Sequence, residues 1–316
     1  MRKFCLKAFL LALLIICSYS LMYLILPARI SYISTTIAKH ERLQETSSPK
    51  VVFVGGSNLA FGLDSELIEK GLGIRSVNMG LAAGLGLRLM LDEVKPALRP
   101  GDIVVIAPEY ELFAGTVNGE RDLAEMGLAD LGNLQYFRTV EQYVVLFKNI
   151  PLFFQDKLTP YLSAPLHGRP ITSEIYRRDG FNHYGDLTTH LGRSPHTDWQ
   201  ANFARDGINP NFDENSDSNV NGDALTILNE FHGYAQSKGV KVILTFPCVP
   251  DTLKVRDRRY IETLYRYLTT NSKLPIPDPP ETFFYPLDCF FDSPYHLIAP
   301  CRERRTRQIL DELRRI

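Results

Sequence analysis

Short apolar, β-branched runs alternate with amphipathic stretches along much of the chain. The apolar runs predict strands that are buried on both faces, at residues 50–56, 74–79, 103–108 and 239–246. Stretches with helical spacing predict helices at residues 64–72, 84–98, 223–238, 255–269 and 302–315. Strands that alternate with helices through short connections indicate a parallel α/β sheet.

Residues 112–220 interrupt this alternation. They are rich in aromatic residues, Pro, Gly, His and Asn, and they show weak helical patterns only at 121–148. A structureless loop of this length is uncommon inside a compact domain. We therefore predict a mainly helical and irregular insertion that covers the ligand edge of the sheet.

The longest uncharged run, Ala8–Ala28, lies at the N-terminus behind three basic residues. A helix of about twenty apolar residues spans a bilayer core of about 30 Å, and the basic residues favour a cytoplasmic N-terminus. Residues 1–28 are thus predicted to be a membrane anchor. A cleaved signal peptide and a buried core helix are the alternatives. The polar residues 29–49 are interpreted as a stalk, and 50–316 as one domain.

Composition narrows the classes of partner. The chain has 316 residues, of which 45% are hydrophobic and 22% charged, as expected for a globular protein. Its formal net charge of -1 does not favour nucleic acid, since a polyanion binder would be more basic. Outside the cytoplasm disulfides persist. A bridge from Cys289 to Cys301, a bridge from Cys289 to Cys248, and three reduced thiols all stay open.

A candidate nucleophile follows the first predicted strand, in the sequence Gly55-Gly56-Ser57-Asn58. The carboxyl ends of parallel strands hold ligands, and glycines leave room for a substrate carbonyl. Ser57 is therefore placed to attack a substrate, although a serine that merely caps a turn would fit the same letters. A serine nucleophile needs a base and an acid to orient it. His296 and Asp292 supply both from one loop before the last helix.

Together these features resemble the SGNH (GDSL-like) hydrolase superfamily over residues 50–110 and 236–316. The chain is most similar to its membrane-anchored, extracytoplasmic branch, which includes the D-alanyl transfer protein of teichoic acid modification and the alginate O-acetylation proteins. The resemblance implies a flavodoxin-like, three-layer, doubly wound parallel sheet. It also implies a catalytic triad of Ser57, His296 and Asp292.

The resemblance further implies an oxyanion site formed by backbone N–H groups of Ser57 and of Gly80, Ala83 or Gly84. The chain departs from the family at three points. Gly56 replaces the Asp of Gly-Asp-Ser, and the acid and base are four residues apart rather than three. The third block, usually Gly-x-Asn-Asp, reads Ala-Pro-Glu-Tyr-Glu at 107–111. Tyr110 could replace the missing side-chain donor, whereas an ionised Glu109 could not.

The implied function is that of a serine esterase or O-acyltransferase acting on acyl esters of a cell-envelope or exported polysaccharide. It would be anchored in the cytoplasmic membrane, with the soluble domain on the periplasmic side and an integral-membrane acyltransferase as a candidate partner. The alternative is a catalytically degenerate accessory protein of the same fold, which assists a membrane acyltransferase or polysaccharide export.

Further polar residues are candidates for substrate contacts, namely Asn58, Tyr110, Asn182 and His183. Three His residues fall within 183–196, but a metal site would want carboxylate or cysteine partners at tighter spacing, so no metal is predicted. No cofactor is predicted either. The glycines at 80–86 lack the G-x-G-x-x-G pattern and the downstream acid of a dinucleotide site.

Overall fold

A parallel four-stranded sheet forms the centre of the molecule, in a computed structural model that describes residues 2–25, 31–163, 173–208, 220–253 and 257–316. The strands lie in the order β2-β1-β3-β4. Their bounds are β1 Lys50–Gly55, β2 Arg75–Asn78, β3 Ile103–Ala107 and β4 Lys241–Leu244. The α/β class and all four predicted strands are confirmed.

Helices connect the strands and enclose the sheet. They are α1 Arg2–Ile25, α2 Thr36–Glu45, α3 Ser57–Gly62, α4 Ser65–Leu72, α5 Leu87–Asp92, α6 Arg121–Ala129, α7 Val140–Ser163, α8 Asp198–Asp206, α9 Gly222–Ser237, α10 Arg258–Asn271 and α11 Ala299–Arg314. The helix predicted at 84–98 is broken, because α5 ends at Asp92 and a short 3₁₀ turn follows at Lys95–Ala97. A short parallel pair, β5 Val249–Pro250 and β6 Phe284–Tyr285, lies apart from the main sheet.

Both faces of the sheet are buried, which explains the continuous apolar runs. Alternate side chains of a strand point to opposite faces. Val52, Val104 and Val242 pack into one apolar cluster, with residues of α5 and α9. Val51, Val105 and Ile243 pack into the other, with residues of α4 and α11. A charged residue at any of these six positions would therefore be buried, whichever face of the sheet its side chain lies on.

The N-terminal helix α1 is apolar and long enough to cross a membrane, over Lys3–Ile25. Nearly all of its side chains are exposed, so it is not a core helix of the domain. The end of the predicted anchor, residues 26–28, lies outside the described residues.

The prediction of a stalk at 29–49 is wrong for the described residues 31–49. Helix α2 packs into the domain, and Lys39 is buried and donates from Nζ to the carbonyl oxygens of Asn78 and Gly185 at 2.8 and 2.5 Å. Burial lowers the pKa of Lys39 to about 7. His40 similarly pairs with Glu93 at 2.9 Å. Polar residues that find such partners are stable inside a protein, so a polar composition does not by itself indicate a tether.

The described part of the insertion contains α6, α7 and α8, and one of its irregular segments covers the carboxyl ends of the strands. Asn78 N–H, at the end of β2, donates to Tyr184 O, and Leu187 N–H donates to Ala60 O in α3. This edge is where the sequence predicts the insertion to lie. Residues 164–172 and 209–219 lie outside the described residues.

A disulfide joins Cys289 to Cys301, and Cys248 is a free, buried thiol. The bridge encloses the loop that carries Asp292 and His296. Replacing both bridged cysteines with Ser is expected to lower the free energy of unfolding by about 3 kcal/mol, because closing a short loop removes entropy from the unfolded chain. Denaturant titrations with and without reductant measure this. Three free thiols in protein made in an oxidising compartment would contradict the pairing.

Candidate active site

Ser57 is the first residue of α3, directly after β1. The chain passes from β1 to β2 on one side and later to β3 on the other, so the carboxyl end of β1 is the point where the strand order reverses. Open parallel sheets bind ligands in the crevice at such a point. Ser57 is half-buried there, and its N–H belongs to the first turn of a helix, where N–H groups have no partner within the helix.

His296 and Asp292 form a hydrogen-bonded pair on the loop before α11. His296 Nδ1 lies 2.6 Å from Asp292 Oδ1, and Tyr176 Oη donates to Asp292 Oδ2 at 2.6 Å. Burial by itself would raise the pKa of Asp292, but these hydrogen bonds outweigh it and hold that pKa below its usual value. An ionised Asp292 fixes the proton on Nδ1, which leaves Nε2 as the basic nitrogen.

The His296 ring is held next to the helix that begins with Ser57. It stacks on Phe61, with ring centroids 3.7 Å apart and planes 4° apart. Ser57 and Phe61 are four residues apart, and residues at this spacing lie on the same face of a helix. The structure thus brings the predicted base to the helix of the predicted nucleophile, although 239 positions separate Ser57 from His296 in the sequence.

Ser57 Oγ, however, contacts a different residue. Its hydrogen bond goes to Glu109 Oε1 at 3.5 Å, and none joins it to His296 among the described residues. Glu109 Oε1 also accepts from Asn58 N–H at 3.0 Å. The Ser–His hydrogen bond of a working triad is therefore not formed in this conformation. Such bonds are often long in proteins without substrate and tighten on binding.

The Glu109 side chain packs directly against Gly56. A Cβ placed on Gly56 would lie 2.3 Å from both carboxyl oxygens of Glu109. The carboxyl group of Glu109 therefore fills the space that a side chain at position 56 would need. Glu109 is 1% exposed, and its Oε2 has no hydrogen-bond partner within the described part of the chain.

Burial raises the pKa of Glu109 above its ordinary value, and the Asn58 N–H only partly opposes this. The folded state therefore favours the neutral form of Glu109. The stability that this carboxyl group contributes is fully present below its unfolded pKa of about 4.3, and it is lost as the pH rises through its folded pKa. Glu109→Gln keeps the neutral form at all pH values. We expect it to increase stability at pH 8 by about 1–3 kcal/mol, with little difference near pH 4.

Thermal unfolding at both pH values tests this expectation. Glu230→Gln, which removes an exposed carboxylate on α9, is the matched control and should leave the stability nearly unchanged at either pH. An equal effect of Glu109→Gln at pH 4 and pH 8 would show that folding does not raise the pKa of Glu109.

The two glycines predicted to bind the oxyanion differ in what they can offer. Gly80 N–H already donates to Asn78 Oδ1 at 2.9 Å, so the structure contradicts a free donor at Gly80. A Cβ on Gly80 would lie 2.4 Å from Leu59 Cβ, so close packing explains the glycine. A Cβ on Gly84 would meet Asp122 Oδ2 at 2.4 Å. Burial raises the pKa of Asp122 to about 6, and Glu125 and Glu120 add to this.

The four predicted substrate contacts are not gathered at Ser57. Tyr110 is fully buried and stacks near Phe246, so it cannot reach an oxyanion and that prediction is wrong. Asn58 is buried, and its Nδ2 donates to Ala107 O at 2.8 Å. Asn182 and His183 instead line a cavity of about 630 Å³ between α2 and residues 177–185 of the insertion.

Sequence reasoning missed three aromatic residues of the site: Tyr32, Phe61 and Tyr176. Tyr32 Oη donates to Leu81 O at 2.6 Å, and its ring meets that of Tyr176 edge-on at 5.5 Å. Tyr32 belongs to the segment interpreted as a stalk, and Tyr176 belongs to the insertion, so no motif marked them. Phe61 could have been found, because it follows Ser57 by one helical turn.

Comparison with known proteins adds no identification, since no family model matches the sequence and no curated protein matches it. The candidate site is therefore described by its own residues. It consists of a helix-borne serine, a histidine–aspartate pair braced by a tyrosine, and a buried glutamic acid, at the carboxyl edge of a parallel sheet.

Proposed function

We propose that this protein is a membrane-anchored serine esterase or O-acyltransferase of the SGNH type, with a flavodoxin-like three-layer fold. The observation that carries the proposal is the His296–Asp292 pair, which is stacked against the helix that begins with Ser57. A histidine with only a structural role would need neither an ionised carboxylate on its Nδ1 nor a place next to the helix that carries Ser57. This arrangement is the one that makes a serine hydroxyl nucleophilic.

In the proposed reaction, Ser57 Oγ turns from Glu109 toward His296 and attacks the carbonyl carbon of an acyl ester. His296 Nε2 takes the hydroxyl proton, and Asp292 stabilises the imidazolium. The proton then passes to the leaving alcohol, and an acyl group stays on Ser57. A sugar hydroxyl or water next attacks this ester with His296 as base, and Ser57 recovers its proton.

Developing negative charge on the carbonyl oxygen would be met by the backbone N–H groups of Ser57 and Gly84. Tyr110 is buried and the Gly80 N–H is occupied, so neither adds a donor to these two. Loss of one such donor costs about 3 kcal/mol of transition-state stabilisation. A slow esterase, or a transferase that gains binding energy from its acceptor, fits these donors better than a fast general lipase.

The proposed location is the cytoplasmic membrane, with α1 as a single span and the domain on the periplasmic side. The Cys289–Cys301 bridge fits an oxidising compartment. The substrate would be an acyl ester of a cell-envelope or exported polysaccharide, and an integral-membrane acyltransferase could supply the acyl group.

The second candidate is a catalytically degenerate accessory protein that assists a membrane acyltransferase or polysaccharide export. The contact between Ser57 Oγ and Glu109 favours it, because it directs the hydroxyl away from His296. The occupied N–H of Gly80 favours it as well.

An acyl-enzyme separates the two candidates. Full-length protein in detergent is incubated with p-nitrophenyl acetate, quenched in acid and digested. An esterase or acyltransferase yields an acetyl group on the peptide that contains Ser57. If neither this ester nor an O-acetylated polysaccharide acylates Ser57, the accessory role is the better description.

A further inference from the structure

Helix α7 carries an apolar stripe whose four side chains all stay exposed among the described residues. Val140, Tyr143, Val144 and Phe147 are exposed by 74, 38, 42 and 65%. Their spacing of three and four residues places them on one face of the helix. Soluble proteins rarely expose a contiguous patch of large apolar side chains, and such a patch usually marks a contact surface.

The membrane-type helix α1 packs on the continuation of this stripe. Phe154 follows Phe147 by seven residues, which is two helical turns and therefore the same face of α7. The Phe154 ring lies 4.9 Å from that of Tyr19 in α1, and Phe154 is buried whereas Phe147 is not. One apolar face thus begins beside α1 and continues into the exposed stripe.

The short connection after α1 also limits how far the domain can lie from the membrane. Tyr19 lies six residues before Ile25, the last residue of α1, which corresponds to about 9 Å along the helix. Tyr19 and Tyr23 thus occupy the end of the span, where tyrosines mark the membrane–water interface. The chain resumes in the described structure at Ser31, so a fully extended connection from Ile25 reaches only about 20 Å. The domain must stay close to the bilayer.

We propose that the stripe Val140–Tyr143–Val144–Phe147 of α7 lies in the lipid interface of the membrane that α1 crosses. Interfacial helices bury their apolar face about 5–10 Å into the boundary between headgroups and acyl chains. The exposed Arg138 and Lys148 flank the stripe and are suited to lipid phosphates. This inference rests on the anchor in the proposed function, but not on catalysis. It makes the domain a body seated on the bilayer rather than one on a flexible tether.

Fluorescence quenching by lipid tests the inference on the full-length chain. The protein has one Trp, and Trp199→Phe removes it. Phe147→Trp in that background is reconstituted into vesicles of phosphatidylcholine and phosphatidylglycerol, with or without brominated acyl chains. We expect its emission to be blue-shifted and to lose most of its intensity in the brominated vesicles.

Thr270→Trp in the same background is the matched control. Thr270 is exposed on α10, a helix that contacts Asn229 of α9 and Phe246, which follows β4. Its emission should be the same in both kinds of vesicle and should be quenched by aqueous iodide.

Three outcomes would overturn the inference. If the protein stays with the vesicles after a carbonate wash but iodide quenches Phe147→Trp and brominated lipid does not, the anchor stands and the stripe faces water. If neither agent quenches it, another protein surface, such as a second copy of the chain, covers the stripe. Release of the protein from the vesicles by carbonate would show that α1 does not anchor it in the membrane. Fluorophosphonate labelling of the same vesicles reports separately on the proposed catalytic site.

Discussion

Ser57→Ala and His296→Ala are each expected to abolish labelling of the full-length protein by a fluorophosphonate probe. The probe reacts only with a hydroxyl that a neighbouring base activates, so loss of either the nucleophile or the base removes the reaction. Groups that act as a catalytic unit give large, non-additive losses, and the double variant should be no worse than either single one. Gel fluorescence of labelled protein in detergent measures this.

Asp292→Asn should reduce labelling less than either variant. Tyr176 Oη also lies 3.3 Å from His296 Nδ1, so a second oxygen can accept the Nδ1 proton when the carboxylate is lost. Ser237→Ala, which removes an exposed hydroxyl on α9, is the matched control and should label like the unchanged protein. If Ser57→Ala labels normally while remaining folded, the esterase proposal fails and the accessory role replaces it.

Asp186→Ala should lower the free energy of unfolding by about 3–5 kcal/mol. The Asp186 carboxylate is fully buried and accepts hydrogen bonds from Ser65 in α4, Asn78 in β2, Asn182 in the insertion and Arg302 in α11. Removing it leaves the buried guanidinium of Arg302 with its carboxylate partner missing, and an uncompensated buried charge is strongly destabilising. Denaturant unfolding followed by circular dichroism gives the free energy.

Asp311→Ala is the matched control for this loss. Asp311 pairs with Arg314 at 3.3 Å on the exposed face of α11, and exposed ion pairs contribute about 0–1 kcal/mol. If the two variants differ by less than about 1 kcal/mol, the buried carboxylate does not hold the insertion to the sheet.

The strands were predictable because burial on both faces leaves a continuous apolar signature in each short segment. Val51 to Val54 record this environment in four consecutive letters. Helix α4 was predictable for a similar local reason, since the Asp64 side chain caps it by accepting from Leu67 N–H at 3.1 Å. The pairing of Asp292 with His296 is also local, and the structure shows their 2.6 Å contact.

The errors arose where a polar residue is buried by packing against distant segments of the chain. Lys39 reads as a solvent-exposed lysine, yet two backbone carbonyls from other segments satisfy its ammonium group inside the protein. Tyr110 reads as a polar residue at the ligand edge, but the 3₁₀ turn that begins there directs it into the core. The residues next to Lys39 and Tyr110 in the sequence do not indicate that either side chain is buried.

The sequence by itself thus determined the α/β class, the four strands, the apolar N-terminal helix and the local pair of Asp292 and His296. Hydrophobic periodicity and short-range contacts specify these features, because each depends on residues within a few turns of one another. Only the tertiary structure decided that Ser57 contacts Glu109, 52 residues away, and that Tyr176 braces Asp292, 116 residues away. Such contacts depend on how far-apart segments pack together, and a single sequence carries no local signal of that packing.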